Sequence, residues 1–147
     1  MATNAIIEHF IKDLEYHQKL LEKFAKSIIA KSPEANEDYN TLRNSIRRHS
    51  NQEEVMYSKY EPKDKKLYEI LEKAREQYRE LIRILDACYQ AEYDDNCEGE
   101  LNKFKKKFIK QIKIKKQVLY PYFDKEMAKK GYTEIIDDID MYDPIDN

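Results

Sequence analysis

The sequence has little of what strands, tight turns and disulfide-stabilised domains require. Its 147 residues include 2 glycines, 4 prolines, 2 cysteines and no tryptophan. So little glycine and proline argues against a strand-rich domain, whereas the abundant Lys, Glu, Leu and Ile favour long helices. We therefore expect an all-α protein. A chain of this length normally forms one domain with its own hydrophobic core.

Long apolar runs and metal-type cysteine spacings are missing as well. Cys88 and Cys97 do not have the spacing of a zinc site, and Glu8 and His9 interrupt the first apolar residues, so no secretory signal is predicted. Hydrophobic residues make up 41% of the chain and are dispersed among charges, without a run as long as a membrane span. We expect a cytoplasmic protein without a membrane role, with Cys88 in the core and Cys97 exposed.

The formal net charge of −2 hides an uneven distribution of charge along the chain. Residues 134–147 carry six acidic side chains and no basic one, and we interpret them as a flexible acidic tail that follows a domain at residues 1–133. We expect this tail to lie over a basic helix face or to reach a protein partner.

A lysine-rich run on the predicted fourth helix supplies that basic face. It consists of Lys103, Lys105, Lys106, Lys107, Lys110 and Lys113. Such a run can indicate a nucleic-acid partner. This one contains no arginine, and its interleaved Phe104 and Phe108 have the spacing of core residues. We therefore interpret it as a solvated helix face and expect no nucleic-acid partner.

Helix-ending residues divide the chain into four long segments. The boundaries are predicted at Ser32-Pro33, at Pro62, at the polar residues 93–96 with Gly99, and at Gly131. Ser32 is expected to cap a helix that begins near Pro33, because proline is favoured in a first helical turn. After Pro121 we expect a short helical extension. The short connections favour antiparallel neighbours.

Each segment carries one apolar seam at alternating spacings of three and four residues. The first seam is Ile7, Phe10, Leu14, His17, Leu21, Phe24 and Ile28. The second is Tyr39, Leu42, Ile46, His49, Glu53, Met56 and Tyr60. The third is Leu67, Leu71, Ala74, Tyr78, Leu81, Leu85 and Cys88, and the fourth is Leu101, Phe104, Phe108, Gln111, Lys115, Val118 and Tyr122. Four such seams predict an antiparallel up-down four-helix bundle.

Polar residues occupy the middle of every seam. They are His17, His49, Glu53, Tyr78, Gln111 and Lys115. A polar group in a core costs free energy unless it is paired or ligated, so these residues predict one buried polar site. His17 precedes Tyr78 by 61 residues and His49 precedes Gln111 by 62, a repeat that indicates an internal duplication.

Four strings of residues resemble the hemerythrin-like family with its His-His-Glu pattern. They are Leu-Glu-Tyr-His at 14–17, His-Ser-Asn-Gln-Glu-Glu at 49–54, Glu-Gln-Tyr-Arg-Glu-Leu at 76–81, and the segment from Gln111 to Pro121. The resemblance spans residues 6–127. It implies a hemerythrin-like bundle around a non-haem di-iron centre, with ligands from all four helices. Family members include oxygen carriers, iron or oxygen sensors, and iron-sulfur repair proteins.

The ligand set that the resemblance implies is only half present. It calls for one His on the first and third helices and His-x-x-x-Glu on the second and fourth. The chain matches at His17, His49 and Glu53. The degenerate ligand positions are Tyr78, Gln111 and Lys115. A lysine in place of a carboxylate argues against two divalent ions, because those ions require anionic oxygen ligands.

One interpretation keeps a metal at this site. His17, His49 and Glu53 form a two-His-one-carboxylate set of the kind that binds a single non-haem iron or another divalent cation. Tyr78 is a candidate fourth ligand through its phenolate oxygen.

The second interpretation, which we prefer, is a metal-free site. The Lys115 ammonium replaces the missing cations and pairs with Glu53 at the same level of the core. Gln111, Tyr78 and the imidazoles are then expected to satisfy one another by hydrogen bonds. His9 lies off the seam and is expected at the surface, and Glu54 is expected either to face solvent or to support the site residues from outside.

These features predict a binding protein more than an enzyme. The leading hypothesis is a hemerythrin-like protein with a degenerate di-iron site, acting as a metal-free or mononuclear metal-binding scaffold for a protein partner. The alternative is a non-haem iron or oxygen sensor with an unusual ligand set. Mononuclear iron oxygenase chemistry comes third, because the sequence offers no second acid-base constellation to support it.

Overall fold

The computed structural model describes residues 4–90 and 97–130, and the regular elements in those ranges are all helical. They are α1 (Ala5–Ile29), α2 (Ala35–Lys59), α3 (Lys65–Gln90), α4 (Cys97–Ile114), a π-helical turn (Lys115–Leu119) and α5 (Tyr120–Lys130). The all-α class predicted from the composition is confirmed for this part of the chain. The predicted acidic tail at 134–147 and the polar stretch at 93–96 lie outside the described residues.

The helices pack as two hairpins that share one hydrophobic core. The contacts between α1 and α2 and between α3 and α4 are the most extensive, and α1 also touches α4 while α2 touches α3. Arg43 Nε lies 2.9 Å from Asp86 Oδ1 and links α2 to α3. The Asn4 side chain caps α1 by accepting a hydrogen bond from the Ile7 amide, and it also bonds to Asp124 of α5. No described helix combines the length and apolar character that a membrane crossing requires.

The predicted seams on the first three helices match the buried faces closely. Every seam residue of α1 is buried. On α2 and α3 the predicted seam is buried except at Tyr39, Leu67 and Tyr78, which are half-buried and pack against the core. The apolar periodicity therefore fixes which face of each of these helices turns inward.

The fourth seam was predicted wrongly beyond Lys115. Val118 is 36% exposed, whereas the core residues are Leu119, Phe123 and Met127, each fully buried. The π turn accounts for the difference, because its i to i+5 hydrogen bonds insert one extra residue and rotate everything that follows. The amide of Tyr120 donates to the Lys115 carbonyl across this turn. Pro121 has no amide hydrogen and its ring crowds the preceding turn, which is why the helix widens here.

Three smaller predictions also need correction. Ser32 is not the cap of α2, which begins at Ala35 after the N-cap residue Glu34; Ser32 Oγ instead accepts a hydrogen bond from the Glu34 amide in the connecting turn. Gly99 lies inside α4 rather than in the connection before it. Cys97 is buried, not exposed, because it starts α4 beside Cys88, whose Sγ lies 3.7 Å from the Cys97 carbonyl oxygen.

Candidate functional site

The polar residues predicted to share the core do lie inside it, with one exception. His17, His49, Glu53, Gln111 and Lys115 are all buried, and Tyr78 is half-buried. Glu53 exposes only 2% of its surface and Lys115 only 6%. Because ionisable side chains are almost never buried without partners, their hydrogen bonds define what this site is.

The Glu53 carboxylate is the centre of the site, and both of its oxygens are engaged. Lys115 Nζ lies 2.8 Å from Oε1. The Tyr120 hydroxyl donates to Oε2 at 2.6 Å, and His49 Nε2 lies 3.1 Å from the same oxygen. The predicted pairing of Lys115 with Glu53 is confirmed, and it joins α2 to the π turn across the core.

His49 extends this pair into a longer network towards α1. Its Nδ1 lies 3.0 Å from Asp13 Oδ2, while its Nε2 faces Glu53 and lies 3.3 Å from the Tyr120 hydroxyl oxygen. Burial lowers the pKa of His49, but the Glu53 charge and the hydrogen bonds to Asp13 and Glu53 outweigh burial and raise it. Both ring nitrogens therefore act as donors to carboxylates.

Charges of opposite sign alternate along the network. Burial raises the pKa of the Glu53 carboxyl, yet the charges of Lys115 and His49 hold it well below its usual range. Burial also raises the pKa of Asp13, and the hydrogen bond and charge of His49 lower it overall. Two side chains of the network, Asp13 and Glu53, are negatively charged, and two, His49 and Lys115, are positively charged. The buried cluster is therefore neutral as a whole.

His17 lies beside this network but does not join its hydrogen bonds. Its Nε2 is 3.0 Å from Ser45 Oγ, and its ring packs edge-on against His49 with 5.3 Å between ring centroids. Burial, together with the positive charge of His49, lowers the pKa of His17 to about 3. His17 is therefore a neutral imidazole at physiological pH. It lies between the positively charged His49 ring and the hydrophobic core.

Gln111 and Tyr78 do not hydrogen-bond to the imidazoles as expected. Gln111 Nε2 donates to the Ala74 carbonyl of α3 at 3.3 Å, because that backbone oxygen faces it across the α3–α4 contact. Burial raises the pKa of Tyr78, and the charges that lower it come from Arg43 and Arg47 of α2. The imidazoles bond instead to Asp13, Ser45, Glu53 and Tyr120, so this part of the metal-free interpretation was wrong.

The sequence interpretation missed two residues of the network, Asp13 and Tyr120. Asp13 lies one residue before the seam position Leu14, but it precedes His17 by one helical turn, which places it on the side of the helix near the site. Tyr120 was missed because the fourth seam was extended in α-helical register. Pro121 is the feature of the sequence that indicates a change in helical register near this position.

Two surface predictions made from helix position are confirmed. His9 is exposed, with its Nε2 3.1 Å from Gln52 Oε1 and 3.4 Å from Asp13 Oδ2. Glu54 is also exposed and pairs with Arg75 at 2.7 Å. Neither side chain reaches the buried carboxylate of Glu53.

The side chains present do not fit a pair of divalent ions. Both Glu53 oxygens already accept hydrogen bonds, and the side chain that faces Oε1 is an ammonium, which repels cations, rather than a second carboxylate. Within residues 4–90 and 97–130, no group of three or more His, Cys, Asp or Glu side chains is arranged to hold a metal ion. What the arrangement does provide is a desolvated, internally neutralised cluster that ties α1, α2 and the π turn together.

Comparison with known proteins adds no relative, since no family model, curated protein or solved structure matches the chain.

Proposed function

We propose that this chain is a hemerythrin-like bundle in which a buried charge network replaces the metal centre, and that it acts as a metal-free binding scaffold. The contact that carries the proposal is the 2.8 Å pair between Lys115 and Glu53, with both side chains buried. The ammonium supplies at this carboxylate the positive charge that a metal ion would otherwise supply.

The hydrogen bonds around the pair support the same conclusion. A ligating carboxylate needs a free lone pair directed at the metal, and a ligating imidazole needs an unprotonated nitrogen. Here Glu53 accepts from Lys115 and Tyr120, and His49 holds protons on both nitrogens between two carboxylates. Binding a cation would require this network to lose protons and to break a buried ion pair.

A satisfied polar core also suits a scaffold. Buried polar networks contribute to a unique packing arrangement when every member is paired, because any other arrangement leaves a charge unsatisfied. The network joins three segments that are far apart in sequence, at Asp13, at His49 with Glu53, and at Lys115 with Tyr120. In this proposal the core sets helix positions, and binding takes place on the outer helix faces.

The test is the metal content of the purified chain after expression in iron-supplemented medium. We expect less than one equivalent of iron, zinc or manganese, no visible absorption band, and a melting temperature unchanged by a chelator. One tightly bound iron with a phenolate-to-iron charge-transfer band would instead favour the sensor alternative and implicate a tyrosine ligand. Two bound irons would overturn the proposal altogether.

A further inference from the structure

A groove runs along the outside of the molecule between α1 and α4. It consists of two adjoining cavities of about 450 Å³ and 210 Å³ that share Glu22 and Lys105 as lining residues. Its walls are mainly apolar and come from Leu21, Ala25 and Ile29 on α1 and from Phe108 and Ile109 on α4. We call this surface the α1–α4 groove.

The α1–α4 groove leaves large aliphatic side chains in solvent. Ile29 and Ile109 are each 51% exposed, which makes them the most exposed large hydrophobic residues among those the structure describes. Charged side chains frame the apolar walls, with Glu22 and Lys26 on α1 and Lys105 on α4, so the basic groups outnumber the acidic one. Apolar surface rimmed by charge is typical of a site that binds another segment of protein. The complementary ligand is aliphatic and acidic.

The C-terminal residues of this chain have that chemistry. Residues 134–147 contain four isoleucines, at 135, 136, 139 and 145, together with six carboxylates and no basic side chain. We propose that this acidic tail docks in the α1–α4 groove, with isoleucines against Ile29 and Ile109 and carboxylates towards Lys26 and Lys105. Because the groove lies on the outside of the helices, the proposal does not depend on whether the core binds metal.

The tail is long enough to reach the groove from the end of α5. The contact between Asn4 and Asp124 sets the start of α1 level with α5, and Gln18 marks the near end of the groove. At 1.5 Å per helical residue, Lys130 and Gln18 are separated by roughly 30 Å along the helix axes. An extended chain covers that distance in about nine residues, so residues from about 139 onward are far enough along the chain to reach the groove.

The neighbouring lysine-rich cavity is a weaker candidate for binding the tail, because it has little apolar surface. That cavity, of about 150 Å³, is lined by Gln77, Glu80, Lys106, Lys107 and Lys110. Lys107 is already paired with Glu80 at 2.7 Å. Exposed ion pairs contribute little to binding because solvent screens them, whereas each isoleucine side chain that is buried contributes substantially through the hydrophobic effect. The apolar walls of the α1–α4 groove therefore favour it over the more basic surface.

The first experiment locates the tail in the full-length chain. A carbodiimide that joins carboxylates directly to lysine amines is applied to a mixture of unlabelled and ¹⁵N-labelled protein, and cross-linked peptides are identified by mass spectrometry. We expect links from residues 134–147 to Lys26 or Lys105 within one chain. Links mainly to Lys106, Lys107 or Lys110, or no links from the tail, would overturn the proposal. Links that join labelled to unlabelled chains would assign the groove to a second copy and would overturn it equally.

The second experiment tests whether the apolar walls hold the tail. Backbone amide shifts of residues 134–147 are compared in the parent, in Ile109→Glu and in Val118→Glu, which changes another exposed aliphatic residue of the same continuous helix outside the groove. We expect Ile109→Glu to move the tail shifts to random-coil values and Val118→Glu to leave them unchanged. Identical tail shifts in the parent and in Ile109→Glu would show that the groove does not bind the tail.

Discussion

Lys115 and Glu53 face each other at 2.8 Å in the core, although they come from different halves of the chain and stand 62 residues apart. If the two halves derive from one duplicated hairpin, these are equivalent positions, and one of them has changed from an acid to a base. The exchange turns two carboxylates that would repel each other into an ion pair. On that assumption, a pair of carboxylates that needs a cation between them has become an ion pair that supplies its own positive charge.

Removing either partner of this pair should be costly. Lys115→Met leaves Glu53 as a buried charge without its main counterion. Glu53→Met removes the carboxylate that neutralises both Lys115 and His49. Each should lower the free energy of unfolding by about 3 to 5 kcal/mol, whereas the double substitution should cost clearly less than the sum. Urea denaturation of all four proteins measures the coupling. Two small effects that simply add would contradict a stabilising buried pair.

The matched control is the exposed pair between Lys107 and Glu80, with nitrogen and oxygen 2.7 Å apart. Lys107→Met and Glu80→Met alter the same residue types on the helix surface. Because solvent screens exposed charges, each should change stability far less than the substitutions at Lys115 and Glu53. A similar loss at both pairs would mean that burial is not what makes the Lys115 contact important.

Acid should destabilise the fold through His17. Its folded pKa of about 3 lies below the unfolded value of 6.5, so the unfolded chain binds a proton first as the pH falls. The stabilising contribution is complete above pH 6.5 and is lost progressively towards pH 3. Between pH 6 and 4.5 the loss should be about 2 kcal/mol.

The measurement compares unfolding free energies of the parent and of His17→Gln across that pH interval. Glutamine keeps a hydrogen-bonding side chain near Ser45 but cannot take up a proton, so this variant should lose stability less steeply. The control is His9→Gln, which removes an exposed histidine and so separates the effect of burying His17 from the general effect of replacing a histidine. Equal slopes for the parent and His17→Gln would show that His17 is not held neutral by its surroundings.

Most of the fold could be predicted because helix periodicity records burial directly. The seams on α1, α2 and α3 needed no knowledge of the neighbouring helices, since an amphipathic helix turns its apolar stripe inward wherever it packs. The register after Lys115 could not be found that way. A seam with alternating spacings of three and four residues assumes a continuous α-helix. The π turn before Pro121 contains one extra residue, so the assumption fails there.

The site was predictable to the extent that its members lie on the seams. Lys115 and Glu53 were found because a charge at a core position needs an opposite charge nearby. The hydrogen bonds of His17 and Gln111 were not found, because their acceptors are a serine beside the seam and a backbone carbonyl. Residues next to a seam, such as Asp13, have no periodic signature, and only the packing of neighbouring helices shows which of them reach inward.

The π turn should tolerate the loss of one residue. Deleting Val118 would place Leu119, Phe123 and Met127 three, seven and eleven residues after Lys115, which is the regular spacing of an α-helical seam. We expect a folded protein with only a modest loss of stability.

The control is deletion of Lys19, an exposed residue of α1, where no extra residue is present to remove. That deletion rotates Leu21, Phe24 and Ile28 out of the core and should prevent folding. Circular dichroism and thermal melting distinguish the two, and equal damage from both deletions would contradict this account of the turn.

Placing an acid at position 115 should make the fold depend on metal. Lys115→Glu sets two buried carboxylates against each other, which is unfavourable unless one is protonated or a cation lies between them. Adding Tyr78→His and Gln111→His completes four imidazoles and two carboxylates on the four helices, and bundles hold paired metal ions with carboxylate and imidazole ligands that project inward from facing helices. Bound metal should then stabilise the triple variant, by about 2.7 kcal/mol at a concentration one hundred times the dissociation constant. Iron stoichiometry and melting temperature are measured with and without chelator.

The control is Tyr78→His with Gln111→His alone, which keeps the ammonium and should gain no paired iron. A folded triple variant that binds no metal would show that these six positions do not converge as the seam alignment requires.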